Sequence, residues 1–89
     1  MLNLPASLTH AQAAELAPRL KELVKAEASA LVVDASALQV FDSSALAVLL
    51  ASRREALAEG KGFSVQGLPA RLRQLATLYG VSELIPASS

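Results

Sequence analysis

Ala30-Leu31-Val32-Val33-Asp34, followed after a short connection by Phe41-Asp42-Ser43-Ser44-Ala45-Leu46, is the stretch that decides the fold. A continuous apolar run ending on an aspartate matches a strand covered on both faces, as strands are in parallel sheets flanked by helices. Ala35 to Phe41 reads as a connection, with a short extended piece at Val40 and Phe41. Asp42, Ser43 and Ser44 then offer the side-chain oxygens that a helix N-terminus needs, so a helix is predicted from here to about Glu59. A strand feeding a helix in this way is the unit from which α/β domains are built.

Working outward, the same alternation recurs on both sides. Leu2 and Leu4 share one side of a short strand that Pro5 ends. Thr9 and Gln12 fit a capping box, and Leu16, Leu20, Leu23 and Val24 recur at helical spacing to about Glu27. Pro18 falls inside that helix and removes a backbone donor, which predicts a kink or a restart. Beyond the central helix, Gly60 and Gly62 supply a stop, and Phe63 to Gln66 alternate as a third strand should, with Gly67 ending it. Pro69 suits the first turn of a third helix with the stripe Leu72, Leu75, Ala76 and Tyr79, and Gly80 fits the position past its end. Leu84 and Ile85 then form a packing clasp. Right-handed crossovers turn this order into one α/β domain over 1–89, a small parallel or mixed sheet flanked by three helices.

Composition narrows the function. The chain has 89 residues, 53% hydrophobic and 18% charged, too apolar for disorder and short enough for one domain. Eight basic residues cancel eight acidic ones, which leaves no charge excess for a nucleic acid or an anionic bilayer surface. With no cysteine, disulfide frameworks, thiolate metal sites and cysteine nucleophiles are excluded. The longest apolar run, Ala45 to Ala51, is far short of the roughly 20 residues that cross a bilayer, and the expectation is a cytoplasmic chain without direct membrane insertion.

Little in the chain suggests catalysis, and no catalytic, cofactor-binding or metal-binding residue is expected. Asp34 and Asp42 lie where open α/β sheets put their sites, and two carboxylates there can in principle hold magnesium. The favoured reading makes Asp42 a helix cap and Asp34 an acceptor for loop amides. Gly60-Lys61-Gly62 lacks the frame of a P-loop, and His10 has no partner at triad spacing. The central helix is more informative. At 100° per residue, Leu46, Leu49, Leu50 and Leu57 face the sheet. The opposite side carries Ser44, Ala47, Val48, Ala51 and Ala58, almost without charge. Either alanines are there as good helix formers, or a smooth face admits another backbone. Asp42, Ser43 and Ser44 stand at its head, two more oxygen-bearing groups than a cap needs, so a docking surface is expected from Asp42, Ser43, Ser44, Ala47, Val48 and Ala51. A phosphate on one hydroxyl would add about −1.5 to −2 charges, favoured by helix amides and opposed by Asp42.

These segments, with the strand and helix that follow Gly62, resemble the STAS domain family over essentially the whole chain. The run Arg73-Gln74-Leu75-Ala76-Thr77-Leu78-Tyr79-Gly80, ending in Leu84-Ile85-Pro86, is most similar to the MlaB-like branch, small subunits of Mla-type phospholipid-transport ABC complexes. That resemblance implies a protein with no catalysis of its own, which binds the ATPase subunit of the complex at the inner membrane and supports lipid asymmetry of the outer membrane. Its interface hydroxyl falls on Ser43. Anti-sigma factor antagonists, another branch, carry Asp-Ser-Ser-Gly with the second serine phosphorylated. That serine falls on Ser44, and Ala45 replaces the glycine. The family's usual first strand, ahead of Met1 to Leu4, is missing or lies outside this sequence, and the remaining sheet edge would leave backbone groups open to pairing, as a homodimer or with a partner.

Overall fold

The computed structural model describes residues 1–88. The elements are β1 (Leu2–Asn3), β2 (Ser7–Leu8), α1 (His10–Leu16), α2 (Leu20–Lys25), β3 (Leu31–Asp34), β4 (Val40–Phe41), α3 (Ser43–Ala58), β5 (Phe63–Gln66) and α4 (Ala70–Leu78). Thr9 starts α1 through the expected capping box, its amide donating to Gln12 Oε1 at 2.9 Å. At Pro18 the helix passes through a 3₁₀ turn, Ala17–Arg19, and restarts as α2, so the first of the three predicted helices is a broken one.

The sheet is parallel throughout, in the order β1-β3-β5, with Leu2 opposite Val33 and Leu31 opposite Phe63. Past β5, Val65 donates to the Pro86 carbonyl and accepts from the Ser88 amide, which draws the C-terminal segment along that edge. A second parallel pair, β2 with β4, sets Ser7 against Val40 and Leu8 against Phe41. Val40 and Phe41 form the short extended piece that the sequence predicts, whereas two residues at Ser7 and Leu8 carry too little pattern to read as a strand.

Leu8, Leu20, Val24, Leu31, Val33 and Leu49 are fully buried between the sheet and the helices. Leu2 and Leu4 point inward and Asn3 outward, as a period of two requires. The expected clasp is Ile85 alone, buried, while Leu84 stays 37% exposed. Tyr79 does not join the α4 stripe: it stands one residue past the helix end and is 58% exposed.

The largest correction concerns α3. Its buried residues are Ala45, Leu46, Val48, Leu49, Ser52 and Ala56, whereas Leu57, expected on the sheet, is 51% exposed. The buried arc is turned about a quarter turn from the leucine face. α3 packs against α1 and α2 as well as against β5, so its buried arc is shared between the helices and the sheet and takes in the small residues at positions 45, 52 and 56. Ser52 is satisfied inside by donating to the Val48 carbonyl at 2.8 Å. At the far end Gly60, at φ 69°, lets Gly60 N–H reach the Leu57 carbonyl and Lys61 N–H the Ala56 carbonyl, a Schellman closure.

Candidate functional site

The head of α3 is placed by β4. Ala6 carbonyl accepts from Gln39 and Val40 amides at 2.7 and 3.0 Å, which fixes the strand that delivers Asp42. Asp42 is extended, the backbone of an N-cap, and its Oδ1 accepts from the Ser44 amide at 2.8 Å. Its Oδ2 faces the His10 amide at 3.3 Å, the first residue of α1. One carboxylate therefore ties the starts of two helices together. The Ser44 amide, ahead of a smaller contribution from the His10 amide and charge, holds the Asp42 carboxyl below the ordinary value of 3.8.

Asp34 is engaged separately. Its Oδ1 accepts from the Ser36 hydroxyl at 2.6 Å and the Ser36 amide at 2.9 Å. These two bonds, the hydroxyl first, likewise keep its pKa low. Asp34 thus serves its own loop while Asp42 caps its helix and reaches the start of α1, and no cluster of three or more His, Cys, Asp or Glu suited to a metal occurs among the described residues.

Around this fixed point the expected docking residues divide. Asp42, Ser43 and Ala47 are exposed, and Ser44 and Ala51 are half-buried. Val48 is not on this surface: at 2% exposure it belongs to the core, for the reason that rotates the whole α3 arc. The solvent ridge instead runs Ser43, Ala47, Arg54, Leu57 and Ala58, with Leu50 half-buried along its flank. Leu57, expected against the sheet, is on this ridge at 51% exposure. The signal was present in the 4-3-4 spacing of Ala45, Leu49, Ser52 and Ala56, an apolar seam of mostly small residues. Val40, 59% exposed, and Arg71, whose guanidinium lies 5.8 Å from the Phe41 ring centroid, flank the segment that leads into the ridge.

The family model described as "Mlab, STAS domain" matches residues 1–86, nearly the entire chain. The chain belongs to the STAS domain family. Its likeness is to the MlaB-like members, and the observed parallel sheet with flanking helices is consistent with a STAS-like fold. No curated protein matches it. STAS domains are generally non-catalytic, which accords with carboxylates committed to backbone amides. Among the described residues of this STAS domain, no helix is long and apolar enough to cross a membrane.

Proposed function

We propose that this STAS domain is a non-enzymatic subunit that docks on the ATPase of a phospholipid-transport ABC complex of the Mla type. In that role it supports the ATPase, sits on the cytoplasmic side of the inner membrane through the complex, and serves the lipid asymmetry of the outer membrane. The observation that carries this reading is the exposure of Ser43 and Ala47, one turn apart, on a helix whose first turn is held rigid by Asp42. A small-residue ridge with no long side chain in its first turn lets a second backbone approach, and the Ser43 hydroxyl is free to donate across the contact. Rigidity matters because a pre-ordered surface loses little entropy on association.

The test is a pull-down with the ATPase subunit. Ser43→Arg and Ala47→Glu should each abolish association with the circular-dichroism melt unchanged, and retained binding by both would reject the surface. The anti-sigma antagonist alternative would act by phosphorylation of Ser44. That residue is half-buried, with its amide on Asp42, so a phosphate would meet the Asp42 carboxylate at close range. Mass spectrometry of the protein from its own cells decides that point, and unmodified Ser44 under all growth conditions removes it.

A further inference from the structure

Arg71 is the second residue of α4, and its guanidinium rests over Phe41, which directly precedes the Asp42 cap. The fold therefore pins one cation beside the head of the ridge. A cation–π contact of this kind uses none of the guanidinium N–H donors, and Arg71 makes no side-chain hydrogen bond among the described residues. Arg73, two residues on, spends Nη1 on the Ser82 carbonyl and hydroxyl at 3.1 and 3.2 Å. Arg71 is exposed and has no such use: the one ion pair among the described residues joins the Met1 amino group to Glu27. Asp42, which follows Phe41 in the chain, already directs both oxygens at amides, those of Ser44 and His10. Val40, exposed next to Phe41, adds an apolar contact to the same patch.

We propose that Arg71 is a second anchor of the docking site, receiving a carboxylate on the surface of the protein that grips the α3 ridge. This rests on the docking reading above. A carboxylate is the complementary group because its two oxygens match the guanidinium fork. The contact with Phe41 lowers the ordering cost that a mobile arginine would carry.

The intact chain is titrated calorimetrically against the purified Mla-type ATPase subunit of the same organism, at low and high salt. Arg71→Ala should weaken binding by about tenfold or more and flatten its salt dependence, with Arg71→Lys recovering part of the loss. Phe41→Leu should weaken it less, and the double variant should lose less than the sum of the two. Charge reversal of one acidic residue on the ATPase should restore binding to Arg71→Glu. If Arg71→Ala binds within about twofold of the parent while Ser43→Arg abolishes binding, the second anchor is overturned and the ridge stands. If Ser43→Arg and Ala47→Glu also bind normally, the docking surface itself is overturned. Should Arg71→Ala fail to fold, Arg71→Gln gives the same decision.

Discussion

Gly67 sits at φ 68°, with the Ser36 backbone so near that an added Cβ would lie 2.7 Å from Ser36 Cβ and 3.0 Å from its Cα and amide nitrogen. Both the dihedral and the contact demand glycine, and the obstructing atoms belong to a chain that cannot swing aside. Gly67→Ala should therefore cost about 2–4 kcal/mol of stability in urea titration. Asp42 makes a different prediction. Its folded pKa is lowered, so its contribution is fully present above the ordinary value of 3.8 and is lost as pH falls through the folded value. Asp34 acts in the same direction through Ser36. Thermal midpoints should be level near neutrality and drop on acidification below about pH 4. The gap between the parent and Asp42→Ala should narrow over that drop, and a gap unchanged at low pH would contradict the shared cap.

At the scale of the element, α3 separates stability from surface. Val48 and Ala47 are neighbours in sequence, yet one is core and the other solvent-facing. Val48→Asp should cost about 3 kcal/mol or more because it buries a charge, while Ala47→Glu should stay within about 0.5 kcal/mol in the same melt. Equal effects would place the α3 arc wrongly. The end of α2 is held from afar: Lys61 Nζ donates to the Val24 carbonyl at 2.8 Å and also to the Lys25 and Glu27 carbonyls. A cation on the last carbonyls complements the helix dipole. Lys61→Met should cost about 1 kcal/mol and speed hydrogen exchange in α2 ahead of the sheet.

At the scale of the whole molecule, the sheet is finished unequally. The β5 edge carries the C-terminal segment through Val65, whereas β1 has β3 on one side and no strand on the other among the described residues. Beside that edge, leucines that include Leu16 and Leu23, together with Gln12, Glu15 and Arg19, line an open groove of about 690 Å³. Unpaired strand groups next to apolar side chains favour pairing with another chain. Pairing of two copies there predicts a sedimentation coefficient that rises with concentration, and a constant value over a wide range removes the homodimer.

Much of this architecture was legible because it rests on local rules. The Leu31–Asp34 run, the Thr9 capping box, the Pro18 break and the Asp42 cap each follow from a side chain acting within a few residues of itself. Their order along the chain was enough for an α/β sheet with flanking helices. What sequence alone left open was which side of α3 is inside, that Ser7 and Leu8 pair with Val40 and Phe41, and that Asp42 caps α1 as well as its own helix. Each depends on segments some thirty residues apart meeting in space. Periodicity tells how wide an apolar stripe is and how often it returns, but the direction it faces is set by the neighbours that pack on it. For this STAS domain, local chemistry wrote the elements, and the contact of α1 and α2 with α3 decided which residues of the ridge remain in water.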